Sequence, residues 1–393
     1  MAKRLLELEV ENFRSLRKIS LPLGALNVLV GPNGAGKTNV LEVFRFLADV
    51  IRTDLEPALG ARGGFDEIVF RGNGRPSASI RIALKATWTT YSSRQAPDEY
   101  SLHVSRGRSG FARSESFVFK RTKGSGRRIT ISGQKVSVED TGKDARTQEI
   151  GISAQSSGLS TLPRLSDDRG GSEVATVARL LASLRVFDVR VDAARRPARF
   201  PRAKESLDDD ASNLAAFLLQ LRSSDEDAWN RLVDDACAVL PQLDGIDFDY
   251  PSGAAREVVI VLSERGLRRA TQLADASYGT IRLLGLLALL YDPDPPALTC
   301  IEEIDHGLHP QALEMLVERL REASERTQFL IATHSPALAN RLKPDELIIC
   351  ERRDDGSSAI PAITADRVEE IVAISEDRPL GELWFTGALG GDL

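Results

Sequence analysis

Eight residues near the N-terminus have the types and spacing of a loop that binds phosphate, Gly31-Pro32-Asn33-Gly34-Ala35-Gly36-Lys37-Thr38. The apolar run 25–30 before them predicts a strand, and residues 39–47 after them predict an amphipathic helix. At such a turn, backbone N–H groups surround a phosphate and the helix N-terminus adds partial positive charge. We expect Lys37 to bind the β- and γ-phosphates of ATP and the Thr38 hydroxyl to hold Mg²⁺. The residues expected to bind ATP are Asn33, Gly34, Ala35, Gly36, Lys37, Thr38 and Asn39.

Two adjacent carboxylates, Glu302 and Glu303, follow the apolar run 297–301, which predicts a buried strand. A strand that ends in paired carboxylates suits metal binding by the first and activation of water by the second. We expect Glu302 to bind Mg²⁺ together with Thr38, and Glu303 to act as the general base for in-line attack on the γ-phosphate. A pair of solvated carboxylates at a strand end is the alternative interpretation.

Three of the four histidines lie close to these strand ends. His334 follows the apolar run 329–332, so its imidazole is expected at the sheet edge where ligands of open α/β sheets bind. There it would sense ATP against ADP by a hydrogen bond to the γ-phosphate; a capping or core histidine is the alternative. His306 and His309 lie beside carboxylates, and a zinc site is a further alternative, although catalytic zinc usually takes three protein ligands. For the turn that carries His306 and His309, the preferred interpretation is a loop that faces a second copy of the chain.

Taken in order, the motifs of this chain resemble those of ABC-type ATPases of the RecF, SMC and OLD kind. Among these, the resemblance is greatest to the bacterial "predicted ATPase" group, an AAA family with an ABC-like head. The segments that carry the resemblance are residues 11–16 (Glu-Asn-Phe-Arg-Ser-Leu), 31–38, 277–282 (Ser-Tyr-Gly-Thr-Ile-Arg), 302–303 with 307–310, 333–336 (Thr-His-Ser-Pro) and the tail 381–387. As an ordered set they are far more specific than any one of them alone.

The resemblance implies an ATP site that needs two copies of the chain to close. In such proteins the signature of one head contacts the γ-phosphate held by the other head, so Ser277, Gly279 and Thr280 would act in trans. Because the sequence has one phosphate loop and one signature, the simplest assembly is a homodimer that binds two ATP molecules with Mg²⁺.

The sequence also departs from the family pattern at named positions. Tyr278 replaces the small or acidic residue usual in the signature, and Ile304 replaces the proline expected after the paired glutamates. Glu302 stands where most such ATPases have aspartate. Residues 62–71, which lie where a glutamine loop is expected, contain no glutamine.

The fold that the resemblance implies is α/β: an ABC-ATPase head, which is a P-loop NTPase with a mixed or parallel central sheet and an antiparallel N-terminal sheet. Residues 77–138 alternate in short runs typical of antiparallel strands, and residues 172–241 are mostly helical in pattern. Neither part sustains heptads, so we expect a compact helical lid and no long coiled coil. We expect three parts: an N-terminal ATPase lobe at 1–150, a mainly helical lid at 151–265, and a C-terminal ATPase lobe at 266–393.

Composition limits the class of protein. The 393 residues are 42% hydrophobic, enough for one large domain or two modest ones. Three scattered cysteines favour neither a disulfide framework nor a metal cluster, and they fit a reducing cytoplasm. The apolar run 283–291 is too short to span a membrane, and residues 1–13 alternate like a strand rather than a signal peptide.

Two basic stretches could bind nucleic acid despite the net charge of −6. A solvated face or a flexible hairpin is the alternative for each. The candidate DNA contacts are Arg121, Lys123, Arg127 and Arg128 in the first stretch, and Arg195, Arg196 and Arg199 in the second.

Three function classes remain. The first is an ATPase whose dimer closes on DNA, as in DNA repair or phage defence. The second is an ATP-gated regulatory subunit that controls a separate effector protein, such as a nuclease, without binding DNA itself. The third, a transporter cassette, ranks low because no segment suits a membrane. OLD proteins carry a nuclease after the ATPase, but the stretch after Glu351 is shorter than such a domain ordinarily needs, so we expect any cutting to come from a partner.

Overall fold

The computed structural model describes residues 4–74, 76–107, 110–122, 125–141, 147–164, 171–200, 206–251, 256–375 and 378–390. The strands of these residues are β1 (Leu5–Phe13), β2 (Leu16–Pro22), β3 (Leu26–Val30), β4 (Ser79–Ala86), β5 (Asp98–Gly107), β6 (Gly110–Thr122), β7 (Ser125–Ser132), β8 (Lys135–Thr141), β9 (Thr147–Gly151), β10 (Arg185–Phe187), β11 (Ala198–Arg199), β12 (Leu243–Asp249), β13 (Glu257–Glu264), β14 (Thr271–Gln272), β15 (Leu298–Glu302), β16 (Gln328–Thr333), β17 (Leu347–Ile349), β18 (Glu351–Arg352) and β19 (Ser358–Ala359). The α-helices are α1 (Lys37–Arg52), α2 (Leu55–Gly60), α3 (Phe65–Ile68), α4 (Gly158–Thr161), α5 (Gly171–Ala182), α6 (Val191–Ala194), α7 (Leu214–Ser224), α8 (Glu226–Val239), α9 (Tyr278–Leu290), α10 (Pro310–Ala323), α11 (Pro336–Ala339), α12 (Ala365–Ile374) and α13 (Leu380–Phe385).

An antiparallel sheet forms the N-terminal part of the molecule, with strands in the order β2-β1-β4-β5-β6-β7-β8-β9. Alternate residues of β4 are buried, because successive side chains of a strand point to opposite faces. The buried face packs in one hydrophobic cluster with α1 and α5, through side chains such as Phe44, Phe117 and Val177. The expected antiparallel N-terminal sheet is therefore confirmed.

A parallel sheet lies at the centre, with strands in the order β10-β15-β16-β3-β17. Every residue of β3 and β16 is buried, which is why these strands are almost continuously apolar in sequence. Because the strands are parallel, their carboxyl ends meet at one edge of the sheet. The α/β class expected from the sequence is confirmed, and this edge positions the residues that could do chemistry.

The middle of the chain contains strands as well as helices. Strands β11, β13 and β12 form a small antiparallel sheet, and β14 pairs with β13. Helices α7 and α8 share one hydrophobic cluster with α9, whose residues 280–290 are all buried. The three-part division of the chain stays a prediction.

The helices are short. Among the described residues, the longest helix is α1 with 16 residues, and no helix is long and apolar enough to cross a membrane. Within the described part of the chain, the expectation of a head without a long coiled coil is thus met.

Candidate active site

The phosphate loop, the paired glutamates and His334 surround one cavity of about 280 Å³. This cavity lies at the carboxyl edge of the parallel sheet, where β3, β15 and β16 end side by side. Its lining residues are Asn33, Gly34, Gly36, Lys37, Thr38, Asn39, Glu302, Glu303, Ala332, His334 and Arg352. Most of the residues expected to bind ATP are therefore brought together, whereas Ala35 is fully buried beneath the loop.

The phosphate loop turns into α1 through Gly36, whose φ of 101° is in the left-handed region that favours glycine. A Cβ at this position would lie 2.1 Å from Ser358 Oγ, so there is no room for a side chain. The next residue, Lys37, is buried, and its Nζ donates hydrogen bonds to the carbonyls of Gly31 at 2.7 Å and Pro32 at 2.9 Å. Burial lowers the pKa of Lys37, while nearby acidic groups oppose that shift. The loop thus places a lysine ammonium against the cavity.

The N-terminal motif, residues 11–16, contacts the start of the helix that follows this loop. Ser15, in the turn between β1 and β2, has its hydroxyl 2.7 Å from Ser358 Oγ and accepts a hydrogen bond from Asn39 Nδ2 at 2.7 Å. The Ser15 carbonyl also accepts from the Ser358 N–H at 2.9 Å. These contacts join two distant segments to the first turn of α1, which fixes the orientation of the loop.

Glu302 ends β15 and presents a half-buried carboxylate to the cavity, with 24% of the side chain exposed. Burial raises its pKa, whereas Arg45, whose Nη2 lies 3.9 Å from the carboxylate, lowers it. Thr38 lines the same cavity, so a hydroxyl and a carboxylate oxygen are available there. Oxygen donors are what Mg²⁺ prefers, and it usually takes one or two from protein and the others from phosphates and water. The residues present fit a bound Mg²⁺.

The zinc alternative receives no support from the described residues, since none of their His, Cys, Asp and Glu side chains form a group of three or more that could hold a metal ion. His309 instead begins α10, where its Nδ1 accepts a hydrogen bond from the N–H of Gln311 at 3.4 Å. His306 is exposed and faces Glu303.

Glu303 has an unusual backbone. Its φ is +47°, the left-handed region that non-glycine residues rarely adopt. Its N–H donates to the Ala332 carbonyl at 2.9 Å, and its own carbonyl accepts from the His306 N–H at 2.9 Å. The carboxylate is about half exposed and lines the cavity. The residue after the buried strand is thus turned so that its side chain reaches the water-accessible side of the site.

His334 follows β16 at the same edge and is exposed to the cavity. The preceding Thr333 hydroxyl donates to Asp305, and it accepts a hydrogen bond from the Ser335 N–H at 3.0 Å. Helix α11 begins two residues after His334 and packs against the tail helix α13. Asn340 joins them, because its Oδ1 accepts from the N–H groups of Gly381 at 2.8 Å and Glu382 at 3.2 Å. The tail therefore supports the segment that carries His334.

The signature residues do not line this cavity. Ser277 is exposed at the N-terminus of α9, where its Oγ accepts a hydrogen bond from the Thr280 N–H at 3.1 Å. Gly279 lies beside it, half-buried. Thr280 is buried, and its hydroxyl lies 2.8 Å from Ser277 Oγ, so it supports Ser277 rather than facing outward. The exposed part of the signature is thus the turn formed by Ser277 and Tyr278.

Two arginines near the site were not predicted as site residues. Arg352 lines the cavity and its Nη1 donates to the Gly34 carbonyl at 3.4 Å. Arg282 is buried, and its guanidinium donates to the carbonyls of Glu302 and Glu303. A signal for Arg352 exists, because basic residues follow the apolar run 347–349 in the way that His334 follows 329–332. The position of Arg352 at the cavity depends on the pairing of β17 with β3.

The first basic stretch is largely neutralised within the fold. Arg127 has only 2% of its side chain exposed and pairs with Asp140 at 2.6 Å and Glu173 at 3.5 Å, so it is not presented to a partner. Arg121 contacts the same two carboxylates at 3.2 Å each, with 39% of its side chain exposed. Arg128 is exposed, and Lys123 lies outside the described residues.

The second basic stretch is more open. Arg196 and Arg199 are exposed, the latter on β11. Arg195 is half-buried and lies 4.0 Å from the Asp192 carboxylate. Cationic side chains available at the surface are thus Arg128, Arg196 and Arg199 rather than the full set expected.

Residues 26–340 match the sequence model of a protein family described as "AAA domain, putative AbiEii toxin, Type IV TA system". The chain is also 49% identical over 59 residues to an OLD nuclease of Thermus scotoductus, a match that covers 15% of this chain and 10% of that protein. It is 38% identical over 78 residues to the DNA replication and repair protein RecF of Brucella abortus, covering 20% of this chain and 18% of that one. The matched stretches thus span less than a fifth of these relatives.

The fold is similar to that of a solved SMC head bound to the C-winged helix domain of ScpA, with a TM-score of 0.54 and 14% identity. The similarity covers 91% of this chain and 96% of that structure. At this identity the likeness concerns the fold, and it agrees with the ABC-type head that the motifs predict.

Proposed function

The chain belongs to this AAA-domain family, which is of the ABC-type RecF, SMC and OLD kind, and from that premise we propose that it hydrolyses ATP to ADP and phosphate. The observation that carries the proposal is the convergence of the phosphate loop, two carboxylates and a histidine on one cavity. A loop that cradles phosphates and a base that faces them are the parts that phosphoryl transfer to water needs.

In the proposed reaction, the N–H groups of the phosphate loop and the ammonium of Lys37 bind the β- and γ-phosphates. The Glu303 carboxylate orients a water molecule and accepts its proton as the new oxygen–phosphorus bond forms. The bond between the γ-phosphorus and the β–γ bridging oxygen breaks, and ADP leaves. His334 donates a hydrogen bond to a γ-phosphate oxygen, so it distinguishes ATP from ADP.

Thr38 and Glu302 are the proposed ligands of Mg²⁺. When bound, the ion supplies positive charge that offsets the negative charge developing on the phosphate oxygens. Glu302 is suited to this role because burial alone disfavours its negative charge, and a cation beside it restores the charged form.

The proposed assembly is a homodimer closed by two ATP molecules. The support is that Ser277 and Tyr278 are exposed at a helix N-terminus, outside the cavity of their own chain. Placed against a partner's nucleotide, the N-terminus of α9 would present its partial positive charge to the γ-phosphate.

We place the protein in the cytoplasm. Its three cysteines are free thiols, as expected in a reducing compartment. Burial raises the pKa of Cys350 to about 12, so this thiol next to the phosphate loop stays protonated at neutral pH.

DNA is the proposed activator of turnover. The support is the exposure of Arg128, Arg196 and Arg199, together with the RecF-like stretch of sequence. The test is ATP turnover by the purified protein with and without duplex DNA over a salt series, with Lys37→Ala as the inactive control. Stimulation that weakens steeply with salt is expected, because phosphate contacts release counterions. A wild-type protein no more active than Lys37→Ala would contradict the ATPase proposal.

A regulatory subunit that gates a separate effector, such as a nuclease, is the second candidate. The neutralisation of Arg121 and Arg127 by Asp140 and Glu173 favours it, because charges paired within the fold contribute little to DNA binding. Turnover that is indifferent to DNA at every salt concentration would select this candidate over the first.

A further inference from the structure

The signature helix of this chain is bonded to the backbone of the chain's own proposed base. Arg282, in the second turn of α9, has 2% exposure and donates from Nη2 to the Glu303 carbonyl at 2.6 Å and the Glu302 carbonyl at 3.2 Å. Its Nη1 donates to the Val189 carbonyl at 3.2 Å. Buried hydrogen bonds from a charged donor are among the stronger ones in proteins. A displacement of α9 therefore acts directly on the backbone that carries Glu303.

The backbone of Glu303 is sensitive to such a displacement. A left-handed conformation of a non-glycine residue persists only where surrounding contacts hold it. Three contacts do so here, from Glu303 N–H to Ala332, from His306 N–H to the Glu303 carbonyl, and from Arg282. Of these three backbone contacts, only the last comes from the signature helix, so it is one route by which that helix reaches the base.

A second route runs through side chains at the surface. The ring of Tyr278, in the signature, contacts the imidazole of His306 with centroids 5.6 Å apart. Tyr278 also packs over Gly307, where an added Cβ would lie 2.7 Å from the ring. His306 in turn has its Nδ1 3.7 Å from the Glu303 Oε2, close enough that a small rotation forms a hydrogen bond. The three side chains thus form a continuous row from the exposed signature to the carboxylate.

We propose that the signature turn of each chain positions Glu303 of the same chain, with His306 and Arg282 as the positioning residues between them. The inference rests on the proposed function, in which that signature grips the ATP held by the partner. Binding of the partner's nucleotide then aligns the base at the chain's own site.

The first test is a set of single and double variants assayed for ATP turnover, ATP affinity and ATP-induced dimer formation. Tyr278→Ala and His306→Asn are each expected to lower kcat about tenfold through misplacement of the base, with ATP affinity and dimer formation unchanged. The double variant is expected to be no slower than either single one, because both changes break the same row. Tyr278→Phe should recover most of the turnover that Tyr278→Ala loses, since the ring contact with His306 is kept.

His309→Asn is the matched control in the same turn. His309 is exposed and lies outside the row formed by Tyr278, His306 and Glu303. Asparagine at this position keeps the capping contact at the start of α10. Its turnover should equal that of the wild type. Losses that multiply in the double variant, or a loss confined to dimer formation, would overturn the inference.

Mixed dimers separate this inference from the trans role of the signature. In a dimer where one chain carries Glu303→Gln, only the other chain hydrolyses ATP. Tyr278→Ala placed on the chain with intact Glu303 should abolish most of the ATP turnover. The same change placed on the Glu303→Gln chain should leave the turnover of the mixed dimer almost unchanged. A loss of turnover only when Tyr278→Ala is on the Glu303→Gln chain would show that Tyr278 acts only on the partner's nucleotide. That result would contradict this inference while leaving the ATPase proposal intact. A wild-type dimer without turnover would instead sink the ATPase proposal.

Discussion

The hydroxyl of Ser15 lies 2.7 Å from the side-chain nitrogen of Asn39, although the two residues belong to separate elements. This contact links the N-terminal hairpin to the helix that follows the phosphate loop, and Ser15 also contacts Ser358. The N-terminal motif Glu-Asn-Phe-Arg-Ser-Leu thus has a physical role, which is to hold the first turn of α1.

Ser15→Ala should weaken both the fold and the ATP site. The change leaves Asn39 and Ser358 without their buried partner, which costs about 1–2 kcal/mol of stability. Thermal unfolding and the Kd for ATP measure the two effects. The control is Ser20→Ala on β2, whose hydroxyl makes only an exposed hydrogen bond to Glu7. Equal Tm values for Ser15→Ala and the wild type would contradict this role.

Glu303→Gln should bind ATP normally and accumulate as the closed dimer, because the amide keeps the shape of the side chain but cannot accept the proton from water. Turnover is expected to fall at least about a hundredfold, and size-exclusion chromatography with ATP should show the dimer. Glu302→Gln is the matched comparison, which should instead raise the Mg²⁺ concentration needed for half-maximal turnover. Ordinary turnover by Glu303→Gln would remove this residue as the base.

Much of the site was predictable from sequence because its parts are local. The phosphate loop, the paired glutamates and His334 each follow an apolar strand, and parallel strands bring their carboxyl ends to one edge. The position of each motif at this edge of the sheet could therefore be predicted from its own local sequence. The antiparallel N-terminal sheet was predictable for a similar reason, since alternation along each strand shows which face is buried.

The features of the site that were not predicted depend on contacts between residues far apart in the sequence. The spacing of apolar residues along the chain does not indicate such contacts. Arg352 reaches the cavity only because β17 pairs with β3. Arg127 looks like a surface cation in sequence, yet its burial beside Glu173 follows from the packing of α5 against the antiparallel sheet. The left-handed backbone of Glu303 is imposed by tertiary contacts, so nothing in its own residue type indicates it.

Ser277→Arg should spare ATP binding and block closure of the dimer. Ser277 is exposed at the start of α9, so a longer side chain is accommodated within the chain but intrudes on a partner's nucleotide. We expect a Kd for ATP close to that of the wild type and no ATP-induced dimer by light scattering. Ser224→Arg, at the exposed C-terminal end of α7, is a control for added charge. An ATP-induced dimer of Ser277→Arg would contradict the trans role of the signature.

Asn340→Ala should loosen the C-terminal tail and slow turnover. Helix α13 begins at Leu380, and the preceding Pro379 supplies no side-chain cap. Asn340 instead accepts hydrogen bonds from two of the first N–H groups of α13. Loss of that cap costs about 1 kcal/mol. Hydrogen exchange in residues 380–389 should accelerate, and turnover should fall about two- to fivefold because α11 follows His334 directly. Asn73→Ala, which removes an exposed hydrogen bond elsewhere, should change neither. Unchanged exchange in the tail would show that Asn340 does not hold it.

Reversal of charge at Arg196 and Arg199 should weaken DNA binding. Both side chains are exposed, and each phosphate contact that is lost should reduce the slope of log affinity against log salt by about 0.9. The double change Arg196→Glu with Arg199→Glu is therefore expected to reduce the slope by about 2, as measured by fluorescence anisotropy with labelled duplex DNA. Reversal of Arg367 together with Arg378, two exposed arginines in the C-terminal part of the chain, controls for the same change in total charge. Equal slopes for the two reversed proteins would show that the second basic stretch does not contact DNA, and would favour the gating of an effector.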